Sequence, residues 1–288
     1  MSERERAEFG RKMLEHLPLA KAPDSIWPSI EAALEQNRLP VSPRVPRWRW
    51  AFAALAAMAL LALVYWRVAH RTQWIETDAH SRVTVKVGEI GTVEVEPGTR
   101  LRVVTERPNE HRFALAHGEI RAKISAPPKL FFVDTAVGTA IDLGCEYTLS
   151  DDELGRGLLT VTRGWVSFQW KGLESLVPAG ASCRTHPRIG PGIPYFDDAP
   201  QNLKGAVENF SLDKDRHDAL NVILAVARVR DTLTLWHLLQ RVDVPDRARV
   251  YDRIASLTPV PSSVSRDRAL LLDPETLKLW KDELAWKW

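Results

Sequence analysis

Through the middle of the chain, hydrophobic and polar positions alternate with a period of two. From Ser81 to Thr185 the apolar members are Val83, Val85 and Val87, then Val93 and Val95, Leu101 and Val103, Phe113 and Leu115. They continue as Ile120 and Ile124, Phe131 and Val133, Ile141 and Leu143, Leu159 and Val161, and Val166 and Phe168. Successive side chains on a strand point to opposite faces, so each pair marks one buried face. Turn residues separate the runs roughly every ten positions: Gly88, Gly91, Pro97-Gly98, Pro108-Asn109, His117-Gly118, Pro127-Pro128, Gly155, Gly157, Gly164, Gly172 and Ala179-Gly180. Short strands with Gly/Pro turns predict a mainly β domain over residues 75–186, a sandwich or rolled sheet of short antiparallel strands. Alternation assigns faces and leaves the order of the strands open.

The period changes on both sides of this stretch. Residues 187–200 hold Pro187, Gly190-Pro191-Gly192, Pro194 and Asp197-Asp198, which reads as a linker. Beyond it, over 201–288, Leu220, Ile223, Leu224 and Ala227 share a helical face, as do Leu233, Trp236 and Leu239, and Val250, Tyr251, Ile254 and Leu257. A last helix opens at Asp273-Pro274-Glu275, with a capping acid and proline at the first helical position. Short amphipathic segments in series predict an α-helical hairpin region.

Before the β stretch lies an uncharged run from Trp50 to Trp66, Ala- and Leu-rich, with Trp48, Trp50, Tyr65 and Trp66 at its ends and Arg47, Arg49 and Arg67 bracketing it. At roughly 1.5 Å per residue it is just long enough to cross a bilayer as a helix. Aromatics and arginines at both ends suit the interfaces. Residues 48–67 are therefore expected to be one transmembrane helix. It starts far from Met1, and Val68-Ala69-His70-Arg71 has no small-residue cleavage pattern, so it is read as an anchor. Arg38, Arg44, Arg47 and Arg49 precede it closely, against Arg67 and Arg71 after it, which places residues 1–47 in the cytoplasm and the bulk outside. The expected location is a bacterial inner membrane, single-pass, with an extracytoplasmic C-terminal bulk. Within 1–47, Phe9, Met13, Leu14 and Leu17 form one short apolar stripe; Ile26, Trp27, Ile30 and Leu34 form a second, after Asp24-Ser25 as caps. Helices this short are marginal alone in water, so Phe9, Leu14, Trp27, Ile30 and Leu34 are expected to bind a partner. A Pro-rich spacer, Arg38 to Pro46, leads to the membrane.

Composition narrows the chemistry. A formal charge of +2 and the lack of a Lys/Arg block argue against a nucleic-acid partner. No GxSxG, HExxH or Gly-rich phosphate loop is present, so no enzymatic role, cofactor or metal is expected. His237, inside an apolar helical pattern, reads as a packed histidine. Asp151-Asp152 and Asp197-Asp198 read as solvated turn charges, and Trp165, Phe168 and Trp170 as core plus edge. The two cysteines, Cys145 and Cys183, leave two readings open: a disulfide in an oxidising compartment, or two separately packed thiols. Alternation puts Cys145 on the apolar face and Cys183 in a more polar stretch.

An ordered set of segments resembles the FecR domain. It runs Gly88-Glu-Ile-Gly-Thr-Val-Glu-Val-Glu-Pro-Gly98, Leu115-Ala-His-Gly-Glu-Ile-Arg-Ala-Lys-Ile124, Phe132-Val-Asp-Thr-Ala-Val137, Ile141-Asp-Leu-Gly-Cys-Glu-Tyr147, Leu159-Thr-Val-Thr-Arg-Gly-Trp-Val166 and Leu176-Val-Pro-Ala-Gly180. The resemblance covers residues 81–185. Cys145 stands where a threonine is usual, and the family's iron-transport members continue as β structure where this chain turns helical. The resemblance implies a single-span regulator whose extracytoplasmic part receives a signal and whose cytoplasmic tail controls an extracytoplasmic-function sigma factor. The alternative is a cell-envelope scaffold whose β domain binds a periplasmic or envelope protein or a glycan.

Overall fold

The structure is a computed structural model that describes residues 23, 25–36, 58–60 and 74–288. The chain divides into two compact units, Met1–Ala69 and His70–Trp288. In the first, helix α1 spans Trp27–Gln36. It is entered through a turn in which the Ile26 N–H donates to the Pro23 carbonyl at 3.0 Å. Pro28 occupies the second helical position, where an intrahelical donor is not needed. Phe9, Leu14, Asp24 and the Pro-rich spacer lie outside the described residues. So does the expected membrane span, apart from Met58–Leu60, which is helical. Among the described residues no helix is long and apolar enough to cross a membrane.

The second unit carries fourteen strands among its described residues. They are β1 (Trp74–Glu76), β2 (Val83–Val87), β3 (Gly91–Val95), β4 (Arg100–Arg107), β5 (Glu110–Ile124), β6 (Phe131–Thr135) and β7 (Gly138–Asp142). There follow β8 (Glu146–Asp151), β9 (Gly157–Arg163), β10 (Trp165–Trp170), β11 (Leu173–Pro178), β12 (Ala181–His186), β13 (Gly190–Pro191) and β14 (Tyr195–Phe196). The main path runs β11-β10-β7-β6-β5-β8-β9-β12-β13.

Strand β5 organises this sheet. Its first half pairs with β4 and β6, and its second half with β3 and β8. The change of neighbours falls at Gly118, whose φ of 99° is a left-handed conformation. A side chain there would meet the backbone of Thr99, so glycine lets the strand pass from one half of the sheet to the other. Two expectations are corrected. The turn read at His117-Gly118 is instead the middle of the 15-residue β5, which is not a short strand, and β5 pairs with β6 in parallel, with His111 opposite Phe131. The other pairs are antiparallel, and the domain is mainly β as expected.

Helices follow: α2 (Gln201–Ser211), α3 (Arg216–Val226), α4 (Thr232–Leu239), α5 (Val244–Leu257), α6 (Arg266–Leu270) and α7 (Pro274–Leu284). Asp273 caps α7 by accepting from the Thr276 N–H at 2.9 Å. Two apolar clusters form. One fills the sheet around Phe113, Phe131 and Phe168; the other joins the helices around Phe210, Trp236 and Trp280. Trp288 packs on both.

Residues 190–196, read from composition as part of a linker, are instead a buried seam. Strands β13 and β14 both pair with β12. The Pro191, Gly192 and Pro194 carbonyls accept from Arg241, Ser175 and Thr234 at 2.8, 2.7 and 2.9 Å. Proline removes donors but keeps its carbonyl, and this segment is held largely through its acceptors.

Candidate functional site

Helix α1 has no buried residue. Trp27, Ile30 and Leu34 are 59%, 42% and 65% exposed, and Ile26 extends the patch. Positions 27, 30 and 34 are i, i+3 and i+7, one side of a helix. Three of the five residues expected to bind a partner, Trp27, Ile30 and Leu34, thus share one solvent-exposed side of α1.

In the second unit the seam between sheet and helices is polar and tightly specified. Strand β11 ends the sheet path, and an open edge would offer unpaired backbone groups. The helices cover it. His237 on α4 accepts the Leu176 N–H on Nε2 at 3.0 Å, while its Nδ1 lies 2.8 Å from the Leu233 carbonyl. Nδ1 therefore carries the proton, and the ring is neutral. Burial pushes its pKa down to about 3, against the opposing hydrogen bond to Leu233, and Arg241 and Lys281 add to the lowering. Arg241 bonds the Glu174 carbonyl and the Ser175 hydroxyl of the same strand. His237 is thus a packed histidine, as its pattern suggested, with a specific task at a strand edge.

Outward from this seam lie two adjoining cavities of about 320 and 510 Å³ on the face of β7, β10 and β11. They share Ile141, Gln169 and Glu174. Glu174 accepts from the Ser167 hydroxyl and from the Gln169 amide. Trp165 lines one cavity and Trp170 the other, both half-buried, while Phe168 is fully enclosed in the core. A third cavity of about 250 Å³ lies on the helical side, between Leu173, Ile189, Phe210 and two arginines, Arg216 and Arg241.

The acid pairs divide. Asp197 and Asp198 enter polar networks: Asp197 accepts from Ser182, and Asp198 pairs with Arg228 and Arg230. Asp152 holds its own turn by accepting from Leu154, Arg156 and the Arg156 side chain. Asp151 corrects the expectation of a solvated charge. It is buried, and burial raises its pKa to about 6 against the opposing pull of the Ala136 and Asp152 N–H groups and the Thr135 hydroxyl. Among the described residues no group of three or more His, Cys, Asp or Glu is placed to hold a metal ion.

Cys145 and Cys183 are free thiols. The Cys145 Sγ donates to Asp142, and the Cys183 Sγ to the Gly192 carbonyl at 3.3 Å. The disulfide left open by the sequence is not formed: Cys145 leads into β8 and Cys183 lies on β12, and β9 runs between those two strands. Nor is Cys183 in a polar setting. It sits in the β core as fully buried as Cys145, since β12 turns its odd positions inward. Burial pushes the Cys183 thiol up to about 11 and raises that of Cys145 further.

Residues 73–167 match the family model described as FecR protein. The resemblance read from the segments between Gly88 and Val166 holds over that stretch, which runs from the start of β1 into β10. Two solved crystal structures of a "putative anti-sigma factor" from Parabacteroides distasonis are similar at 15% and 16% identity, each with a TM-score of 0.39. The match covers 47% and 46% of this chain and 63% of each of those chains, so this chain spans less than two thirds of their length. No curated protein matches the sequence.

Sequence reasoning missed the residues of the seam. Arg241 and Ser175 carry no motif. Their only trace is a polar position inside an apolar pattern, which is also what an exposed residue looks like.

Proposed function

We propose that this chain is a membrane-anchored regulator that holds an extracytoplasmic-function sigma factor through its N-terminal segment and receives a signal through residues 74–288. It acts by binding rather than by catalysis. The observation that carries the reading is the solvent-exposed stripe of Trp27, Ile30 and Leu34 on α1, upstream of a domain that matches the FecR family. A short amphipathic helix with an uncovered apolar face suits the groove of a partner protein, and family members of this kind direct their tails to sigma factors.

The anchor belongs to the same proposal. Residues 48–67 cross the inner membrane, the arginine bias keeps residues 1–47 in the cytoplasm, and the β domain and helices lie outside it.

The test is capture of sigma factor by the full-length chain, wild type against Trp27→Ala. Loss of a buried aromatic anchor costs about 2 kcal/mol, roughly thirtyfold in affinity. Equal recovery of sigma factor by both proteins would remove Trp27 from the interface. Reporter fusions after Gln73 separate the topology from the partner: alkaline phosphatase is expected to be active there and cytoplasmic fluorescent protein dark. The opposite pattern would end the assignment of the tail to the cytoplasm.

A further inference from the structure

Arg241 lies just beyond α4 and reaches into the seam. All of its hydrogen-bond partners are neutral: the Pro191 carbonyl at 2.8 Å, the Ser175 hydroxyl at 2.7 Å and the Glu174 carbonyl at 3.3 Å. Among the described residues no carboxylate pairs with it, and burial pulls its pKa below the ordinary arginine value. A charge withdrawn from water without a counter-ion is costly. The three bonds fix the guanidinium and leave its charge uncompensated.

A second cation stands beside it. Arg216, the first residue of α3, lies 4.3 Å over the Phe210 ring and donates to the Arg241 carbonyl. Its acidic neighbour Asp213 is 3.7 Å away with its side chain 80% exposed, an arrangement that solvent screens strongly. Both arginines line the cavity of about 250 Å³. Leu173, Ile189, Ile193 and Phe210 supply an apolar wall, Ser211 and Gln240 supply further polar groups, and no acid lines it. At roughly 30 Å³ per displaced water, the space suits a molecule of roughly eight to ten non-hydrogen atoms.

We infer that this cavity binds a small amphipathic carboxylate, its anionic head on Arg241 and Arg216 and its apolar body against Ile189, Ile193 and Phe210. The planar fork of a guanidinium matches a carboxylate, and a pocket with apolar walls and a few placed polar groups is the usual form of a small-molecule site. The site does not depend on which protein α1 binds.

Calorimetric titration of the full-length chain with hexanoate, benzoate, hexanamide and inorganic phosphate tests it. One hexanoate or benzoate is expected to bind per chain, with hexanamide and phosphate at least about tenfold weaker. Arg216→Gln and Arg241→Met should each weaken the carboxylate by at least about tenfold, the worth of a charge-assisted hydrogen bond. Arg241→Met also removes bonds to β11 and is read only if its thermal unfolding stays cooperative. Ile189→Trp fills the cavity with both cations intact and should abolish binding. No saturable binding of either carboxylate below about 1 mM would overturn the site. Equal binding of hexanamide or phosphate, or carboxylate binding unaffected by Arg216→Gln and Ile189→Trp, would overturn it as well.

Discussion

His237→Phe keeps a planar ring at a buried position and removes the acceptor for the Leu176 N–H. The Leu233 carbonyl still has its helical partner, so the net loss is one unpaired N–H at the edge of β11. Leaving such a donor unsatisfied costs about 1–3 kcal/mol. For a unit of this size, about 2 kcal/mol corresponds to a fall in melting temperature of about 4–8 °C. The pH dependence is the sharper test. His237 has a folded-state pKa lowered to about 3, so the unfolded chain takes up the proton first. The stability from the neutral ring is fully present above the unfolded value of about 6.5 and is lost as pH falls from there towards about 3. Asp151 acts in the opposite sense: with its pKa raised to about 6, it takes up a proton in the folded state before the unfolded one. Comparing wild type with His237→Phe cancels Asp151. The wild-type advantage should be about 1.4 kcal/mol smaller at about pH 5.5 than at about pH 7.5. Thermal unfolding at the two pH values, with hydrogen exchange of the Leu176 amide, measures it. An advantage independent of pH, or an equally protected Leu176 amide in the variant, would refute His237 as the cap of β11.

Three further outcomes are expected. Gly118→Ala puts a Cβ about 2.5 Å from the Thr99 Cα at a φ of 99°, and should destabilise the fold by about 2 kcal/mol or more, read as a drop in denaturation midpoint. Thiol titration should find no reactive sulfhydryl in the native chain and two after unfolding without reductant, since Cys145 and Cys183 are free and buried; finding none after unfolding would mean they are bonded. Asp231→Ala removes a fully buried carboxylate that accepts from the Arg228 N–H and Nε, both at 2.8 Å, and should cost about 2 kcal/mol in urea denaturation, whereas a midpoint within experimental error of wild type would show the pair to be inert.

Much of the fold was legible as local pattern. The pairs Val93 and Val95, Phe131 and Val133, and Leu159 and Val161 are all fully buried, as their alternation predicts. The stripe of Leu220 and Ile223, the Asp273 cap and the α1 stripe follow equally from periods of 3.6 and from capping chemistry. These are properties of a few neighbouring residues, and the chain states them wherever it goes. Other features depend on residues far apart in sequence, and only the tertiary structure decided them. Alternation says which face of β5 is buried, but its parallel partner β6 and its change of neighbours at Gly118 come from closing the sheet. Residues 190–196 look like a linker because prolines and glycines break local structure, yet their carbonyls find Ser175, Thr234 and Arg241, which lie 17, 40 and 50 residues away. Cys183 and Asp151 are polar by neighbourhood and buried by packing. Arg241 differs from a surface arginine only in what surrounds it, and the long-range fold supplies those surroundings.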